Sequence, residues 1–336
     1  MHELRKDPLL NRWVAVQFDS KPPEYYNFEE ENEKEHSCIL CAGREKETPS
    51  EITAIRNKGS QPNDSGWLAR VIPNPNPILR IEGDLGRRGI GMYDKMNSIG
   101  ANEIIVETPE HDKRPEDMGL EQMVRVVTLY KERVADLEKD SRLRYALIYK
   151  NSGKEAGAVY THSHSQIIAT PIIPMRVKDE LDGAKKYYAY KERCIFCDMM
   201  REELRYGDRV IFETKNFIAF CPYVPRFSFE FWILPKRHSC AFQEIYAEEL
   251  EDFGLMILSM IKKLRSVLKN TPYNYIIHTA PNRIPRRDHW HTLGEDFHWH
   301  VEVAPRLMRI SGFEWGTGFY VVTTSPEDAA KYLREA

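Results

Sequence analysis

The sequence has no excess of positive charge, and this absence already narrows its range of partners. Its 336 residues include 48 lysines and arginines against 51 aspartates and glutamates, which gives a formal net charge of -3. Proteins that bind duplex nucleic acid usually present a strongly basic face. We therefore expect no nucleic-acid partner for this chain.

Long apolar segments are also missing. The most apolar stretch, residues 253–261, is followed directly by Lys262 and Lys263, whereas a membrane-spanning helix needs about 20 apolar residues in a row. The first residues, Met1 to Asp7, lack the apolar segment of a secretory signal. These features predict a cytoplasmic protein with no membrane partner.

Cysteine is scarce, with six residues in the whole chain, which excludes a fold that depends on disulfides. Four of the six form two C-x-x-C pairs, Cys38/Cys41 and Cys194/Cys197. Such pairs can bind a metal separately, join in one Cys₄ zinc site, or act in redox chemistry. Metal is the first interpretation, because no thioredoxin-like βαβ pattern surrounds either pair.

The second half of the chain repeats the order of features in the first half. Each half has a C-x-x-C pair, two strand-like runs, a helical stripe of apolar residues, an aromatic-rich strand and a His-x-His pair. The helical stripes run from Met123 to Leu137 and from Leu250 to Val267. Strands on both sides of one long helix predict an α+β module, with a mostly antiparallel sheet and the helix on one face.

The repeat predicts two tandem modules. The first covers residues 1–171 and the second covers residues 194–336, and residues 172–193, which are rich in lysine and tyrosine, form the linker between them.

The His-x-His-x-Gln run of the first half predicts chemistry at phosphate. His162, His164 and Gln166 lie at alternate positions of a strand, so their side chains project from one face. Just upstream, a loop with two glycines supplies Asn151 and Lys154, and its backbone N–H groups can approach an anion. A neutral imidazole can attack phosphorus and later leave from the phosphoramidate. The pattern predicts nucleotidyl transfer, and the alternative is a solvent-exposed strand face.

Together these features resemble the galactose-1-phosphate uridylyltransferase family, the branch of the histidine triad superfamily in which two modules are fused. The resemblance covers nearly the full length and implies two tandem histidine-triad-like modules and a homodimer. The residues that carry it are Asp7-Pro8-Leu9, Arg12-Trp13-Val14, Cys38/Cys41, Arg70-Val71-Ile72-Pro73-Asn74, the loop from Asn151 to Gly157, His162-Ser163-His164-Ser165-Gln166 and His298-Trp299-His300.

The resemblance implies a role for each matched residue. His164 is expected to be the nucleophile that carries a covalent nucleotidyl group in a ping-pong reaction, and Gln166 is expected to hydrogen-bond the transferred phosphate. The expected nucleotide- and phosphate-binding residues are Arg70, Asn74, Asn151, Lys154 and Gly157.

The resemblance also implies a zinc ion bound by the first half, and the duplication extends this to the second half. Several family members have a different second metal site, and the pattern here looks more like the branch that includes ADP-glucose phosphorylase. The first expected ligand set is Cys38, Cys41, His111 and His162. The second expected set is Cys194, Cys197, His238 and His298.

The acceptor side departs from the family pattern. The arginine-rich stretch of the family is reduced here to Lys21, and Val159 stands where a phosphate-contacting serine is usual. Inorganic phosphate is therefore expected to serve at least as well as galactose 1-phosphate, drawn in by Lys154 and by Arg286 and Arg287.

Three functions stay open on this evidence. The first is transfer of a nucleoside monophosphate from a nucleotide sugar to a sugar 1-phosphate. The second is an adenylyltransferase or phosphorylase that uses ADP-glucose or adenylylsulfate with inorganic phosphate. The third is a catalytically silent zinc scaffold that binds nucleotides, which would not need His164 and Gln166 on one strand face.

Overall fold

The structure is a computed structural model that describes residues 2–17, 19–26, 38–284 and 290–336. Arg286 and Arg287, which the sequence assigns to phosphate attraction, lie outside these ranges. Among the helices of the described ranges, none combines the length and apolar character needed to cross a bilayer.

Short strands alternate with a few long helices along the chain. The strands are β1 (Glu3–Lys6), β2 (Trp13–Val16), β3 (Thr53–Arg56), β4 (Trp67–Pro73), β5 (Arg88–Ile90), β6 (Tyr93–Lys95), β7 (Ala101–Val106), β8 (Tyr145–Ser152), β9 (His164–Thr170), β10 (Val210–Glu213), β11 (Phe217–Phe220), β12 (Phe231–Pro235), β13 (Tyr273–His278), β14 (His300–Pro305) and β15 (Tyr320–Val322). The helices are α1 (Leu120–Leu137), α2 (Met175–Lys191), α3 (Ile195–Tyr206), α4 (Ala247–Leu268), α5 (Leu293–Asp296), α6 (Gly312–Thr317) and α7 (Pro326–Glu335).

Ten strands of the described chain form one sheet that runs through both modules. Its order is β10-β11-β12-β14-β13-β8-β9-β7-β4-β3, and neighbouring strands are antiparallel. Each module supplies five adjacent strands, and the modules meet where β8 pairs with β13. The predicted α+β class and two-module architecture are confirmed, and the two sheets are continuous.

One face of this sheet carries the two long helices. The predicted apolar stripes are buried there: Met123, Val127 and Val134 of α1, and Ile257 and Leu264 of α4, belong to one core with the strands beneath them. Burial of a large aliphatic side chain stabilises the fold by about 1.5 to 3 kcal/mol. The helix positions expected from the apolar spacing are therefore those that hold the core together.

The opposite face differs between the modules. In the second module it is covered by α2 and α3, whose buried residues Leu181 and Phe196 pack with Trp232 and Leu234 of β12. The segment predicted as a linker thus contains a helix that is part of the core. In the first module the same face carries a smaller apolar cluster, which includes Cys38.

Candidate active site and metal-binding groups

His164 is held in one tautomer by its own strand. It is the first residue of β9 and is 2% exposed. Its Nδ1 lies 2.8 Å from the carbonyl oxygen of His162. Because a carbonyl oxygen only accepts, Nδ1 must carry the proton and Nε2 must carry the lone pair. Within the described part of the chain, Nε2 makes no hydrogen bond.

The ring of His164 is also neutral. Burial lowers its pKa to about 4, and the nearby ammonium of Lys150 acts in the same direction. A neutral imidazole with a free Nε2 is the form that attacks an electrophile. The site therefore holds His164 in the state expected of a nucleophile.

Gln166 shares the face of His164, two residues further along β9. Its Oε1 accepts from the hydroxyl of Tyr149 at 2.9 Å and lies 3.5 Å from Nδ2 of Asn74. Asn74 in turn donates to Oδ1 of Asn102 at 3.3 Å. The structure thus brings three predicted residues, His164, Gln166 and Asn74, to one region, together with Tyr149 and Asn102.

Behind β9 lies a buried ionic network. Lys150 Nζ donates to Glu107 Oε2 at 2.6 Å, to Ser163 Oγ at 3.1 Å and to the carbonyl oxygen of His164 at 2.9 Å. Burial acts to raise the pKa of Glu107, but Lys150 and the serine hydroxyls hold it below its usual value. The network therefore fixes the backbone of His164 from the side that faces the helices.

The network reaches the second module through two tyrosines. The hydroxyl of Tyr130 donates to Ser165 Oγ at 2.7 Å and hydrogen-bonds the hydroxyl of Tyr275, which belongs to β13. The sequence gives little indication of these partners, because the pairing of Lys150 with Glu107 spans 43 residues and the tyrosine pair spans 145.

The predicted phosphate loop is shaped by its own side chains. Gly153 and Gly157 have φ angles of 84° and 85°, a conformation that favours glycine. Asn151 Nδ2 donates to the carbonyl oxygen of Gly157 at 3.0 Å, and its Oδ1 accepts from Asn274 at 2.7 Å. Asn151 therefore holds the loop closed, and Lys154 is exposed on it.

Arg70 lies apart from the other predicted phosphate-binding residues. Its side chain is fully buried, and its guanidinium lies 5.1 Å from the centre of the Trp67 ring. Burial lowers the pKa of Arg70, although Glu45 opposes this effect. A ligand would have to reach a group without solvent access, so a direct contact between Arg70 and a nucleotide stays a prediction.

The first cysteine pair meets two histidines of its own module. The Sγ of Cys41 lies 3.4 Å from Nδ1 of His111 and 3.7 Å from Nδ1 of His162, and all four ligand atoms, including Cys38 Sγ, lie within 4.8 Å of one another. Ligands of a tetrahedral zinc ion lie about 3.3 to 3.8 Å apart. This group is a possible metal site of matching size and donor type.

His162 is oriented for such a site by its other nitrogen. Nε2 donates to the carbonyl oxygen of Thr108 at 2.7 Å, so Nδ1 keeps its lone pair toward the cysteines. His162 precedes β9, which begins at His164, whereas the sequence predicts both residues in the strand. The regular pairing with β7 ends at Val106 and His164.

The second module repeats this arrangement. The Sγ of Cys197 lies 3.3 Å from Nδ1 of His238 and 3.4 Å from Nδ1 of His298, and Cys194 completes the group. His238 Nε2 donates to the carbonyl oxygen of Gly294 at 3.0 Å. Each cysteine pair is therefore grouped with histidines of its own half, an arrangement that favours two separate sites over one Cys₄ site.

The second His-x-His pair has no open face. His300 repeats the contact of His164, since its Nδ1 lies 3.0 Å from the carbonyl oxygen of His298. Its ring is fully buried between Phe196, Trp232 and His278, with ring centres 4.8 to 5.1 Å apart. His300 is thus surrounded by aromatic rings, whereas His164 lies on the sheet face that also carries Gln166, Tyr149 and Asn74.

A buried carboxylate of α2 completes the closure of the second module. Glu180 Oε2 lies 2.8 Å from Nδ1 of His278, and Glu302 lies 3.5 Å from its Nε2. Burial opposes protonation, but the two carboxylates raise the pKa of His278 to about 10. Glu180, His278 and His300 are also close enough to hold a metal, but a metal at this place would have to displace the proton that the raised pKa of His278 favours.

Comparison with known proteins agrees with this architecture. Residues 1–174 match the family model described as galactose-1-phosphate uridyl transferase, N-terminal domain, and residues 180–319 match its C-terminal domain. An ADP-glucose phosphorylase of Arabidopsis thaliana is 32% identical over 99% of this chain and 92% of its own length. A galactose-1-phosphate uridylyltransferase of Thermotoga maritima is 29% identical over 100% of this chain and 98% of its own length.

Solved structures give the same result. The crystal structure of the Arabidopsis thaliana ADP-glucose phosphorylase with bound ADP-glucose superimposes with a TM-score of 0.82 at 31% identity, and covers 100% of this chain and 99% of that one. A uridylyltransferase structure superimposes with a TM-score of 0.76 at 26% identity, over 100% of this chain and 98% of that one. The chain therefore belongs to the galactose-1-phosphate uridylyltransferase family.

Proposed function

We propose that the protein is a nucleotidyltransferase that works through a covalent nucleotidyl group on His164. The observation that carries this proposal is the state of the His164 ring: Nδ1 is bound to the His162 carbonyl, and Nε2 keeps its lone pair in a neutral imidazole. His300 has the same tautomer, but only His164 shares its sheet face with the amides of Gln166 and Asn74, which a silent scaffold would not require. The names of the family relatives, which are nucleotide-sugar enzymes, support the same reaction class.

The reaction has two displacements. In the first, His164 Nε2 attacks the α-phosphorus of a nucleotide sugar, the bond from phosphorus to the bridging oxygen breaks, and sugar 1-phosphate leaves as an anion. The ring keeps its proton on Nδ1, and the developing positive charge is stabilised by the carbonyl of His162. In the second, a phosphate oxygen of the acceptor attacks the same phosphorus, and neutral His164 leaves.

Gln166 supports both displacements. An amide donor aimed at the non-bridging oxygens stabilises the charge that builds up there in the transition state. Its position two residues after His164, on the same face of β9, supports a role for the amide toward the proposed nucleotidyl group.

Each Cys₂His₂ group is proposed to hold one zinc ion, which gives two per chain. The sulfur and imidazole donors are those that zinc prefers in structural sites. A bound zinc would fix the cysteine loop against the residue two positions before His164. Cys38, Cys41, His111 and His162 would thereby define the position from which β9 begins.

The donor is proposed to be a nucleotide sugar, and ADP-glucose is a specific candidate besides UDP-glucose. The observation that favours ADP-glucose is the full-length similarity to a phosphorylase whose structure contains it. Adenylylsulfate has no comparable support. To test the function, the protein is incubated with labelled glucose 1-phosphate and unlabelled UDP-glucose or ADP-glucose. A ping-pong enzyme transfers label into the nucleotide sugar without a second acceptor, and no exchange with either donor would contradict the proposal.

Inorganic phosphate is proposed as an acceptor. Val159, at the position of the usual serine, is 71% exposed and offers no hydrogen bond donor on its side chain, and Lys21 packs against the ring of Tyr25 at 5.3 Å. Fewer fixed donors therefore remain for a sugar phosphate. We expect kcat/KM for phosphate to equal or exceed that for galactose 1-phosphate, and a preference above about tenfold for the sugar phosphate, or ~1.4 kcal/mol, would contradict this.

We also propose the division into residues 1–171, 172–193 and 194–336, a cytoplasmic location and a homodimer. Light scattering on the protein as it elutes from a size-exclusion column measures the oligomeric state directly. A monomer at micromolar concentration would contradict the homodimer.

A further inference from the structure

Tyr149 occupies a position that the sequence pattern does not mark. It lies in β8 directly opposite Gln166 of β9 in the strand register. Its hydroxyl donates to Gln166 Oε1 at 2.9 Å. The contact is on the same sheet face as His164, since Ser165 and Ile167, the alternate residues of β9, face the helices.

The orientation of the Gln166 amide follows from backbone groups nearby. The N–H of Asn76 donates to Asn74 Oδ1 at 2.9 Å. A backbone N–H only donates, so Asn74 must present its NH₂ group to Asn102 and to Gln166. The atom of Gln166 that faces Asn74 must therefore be Oε1.

A second backbone group fixes the next amide in the same way. The N–H of Ile78 lies 3.3 Å from Asn102 Oδ1, so this oxygen is the acceptor for Asn74 Nδ2 as well. The three side-chain amides thus form an ordered series that starts from two backbone donors and ends at Gln166.

The hydroxyl of Tyr149 completes the series. Partial burial raises the pKa of the phenol, so the hydroxyl keeps its proton and can donate at neutral pH. Oε1 of Gln166 then faces two donors, and among the described residues nothing accepts from Nε2. Nε2 is left as the free donor of the amide.

We propose that Tyr149 is a positioning residue, whose hydroxyl holds Gln166 Oε1 so that Nε2 donates to the phosphorus-bound oxygens of the group on His164. This inference rests on the proposed nucleotidyl transfer. A glutamine amide without such a partner can turn over and present its oxygen to an anionic phosphate, which repels it. Asn74 favours the productive orientation across 3.5 Å, and the shorter hydrogen bond from Tyr149, at 2.9 Å, strengthens this preference without touching the substrate.

The variant Tyr149→Phe tests the proposal because it removes one oxygen atom and keeps the ring. We expect kcat of the isotope exchange with the better donor to fall about three- to tenfold, since one neutral hydrogen bond is lost. KM for the nucleotide sugar and the melting temperature should stay close to those of the wild type. The matched control is Tyr145→Phe, which removes a hydroxyl from the same face of β8 four residues earlier and should not change kcat.

A double-variant cycle separates positioning from a general structural effect. If Tyr149 acts through Gln166, then Tyr149→Phe has no effect on kcat in a Gln166→Ala background. Three outcomes would overturn this inference but not the proposed function. They are independent effects of the two substitutions in the cycle, a wild-type kcat for Tyr149→Phe, and a lower melting temperature of Tyr149→Phe with unchanged kcat. A wild-type protein without exchange would instead overturn the proposed function, and this inference with it.

Discussion

Among single residues, two histidines with the same local sequence pattern have different chemical surroundings. His164 and His300 both follow a histidine by two residues, and both bind the preceding carbonyl through Nδ1. His164 is followed on its strand face by the neutral amide of Gln166, whereas His300 is enclosed by aromatic rings and followed by the carboxylate Glu302. The His-x-His pattern is readable from the sequence, but the enclosure depends on Phe196 of α3, Trp232 of β12 and His278 of β13, which are far apart along the chain.

The role of Gln166 leads to a prediction at this scale. Gln166→Ala should lower the rate of nucleotidyl transfer by about 5- to 150-fold, which corresponds to a lost transition-state hydrogen bond of about 1 to 3 kcal/mol. Ground-state affinity for nucleoside monophosphate should change less. Single-turnover kinetics and calorimetric binding measure the two quantities, and an equal loss in both would contradict a role specific to the transition state.

Among the strands, β8 connects the two modules, and its side chains contact residues of β9 on both faces of the sheet. Tyr149 reaches Gln166 on the open face, and Lys150 reaches the His164 carbonyl on the helix face. The strands and long helices are predictable because their apolar periodicity is local. The ion pair of Lys150 with Glu107 is not predictable in this way, since a buried lysine in a strand has no sequence signature of its own.

The segment 172–193 also has one feature that the sequence shows and one that it does not. Its lysines and tyrosines suggest a linker, but Val177, Leu181 and Ala184 follow helical spacing and are buried in α2. This periodicity was available in the sequence. The contact between Glu180 and His278 could not be read from the sequence, because His278 is 98 residues further along the chain.

Lys150→Met should destabilise the protein strongly. The variant leaves Glu107 as an unpaired buried carboxylate, which costs about 3 to 5 kcal/mol. Urea unfolding measures the change in free energy, with Lys139→Met as the control, since Lys139 is exposed and pairs with a half-exposed Asp136. Adding Glu107→Gln to Lys150→Met should restore part of the lost stability. A loss below about 1 kcal/mol for Lys150→Met would argue against the network as a structural element.

In the whole molecule, one sheet carries a histidine among polar side chains in the first module and a histidine among aromatic rings in the second. Helices α2 and α3 cover this face of the second module, while its Cys₂His₂ group is retained. The second module supplies Tyr275 to the network behind β9. We therefore interpret it as structural support for the first.

We expect each module to bind its own zinc ion. Elemental analysis is expected to give two zinc ions per chain. Cys194→Ser should remove one of them and lower thermal stability more than the rate of transfer, because the second group lies in the closed module. Cys38→Ser should lower both thermal stability and the rate of transfer, since His162 of the first group lies two residues before His164. One zinc ion per wild-type chain would favour the shared Cys₄ site instead.

The central claim is that His164 carries the nucleotidyl group, and peptide mapping after donor labelling tests it most directly. The protein is incubated separately with radiolabelled UDP-glucose and ADP-glucose, quenched at alkaline pH to preserve a phosphoramidate, and digested. We expect label on the peptide that contains His164 with at least one donor, no label on His164→Ala, and retained label on His300→Phe. Label that persists on His164→Ala, or a wild-type protein that no donor labels, would contradict it.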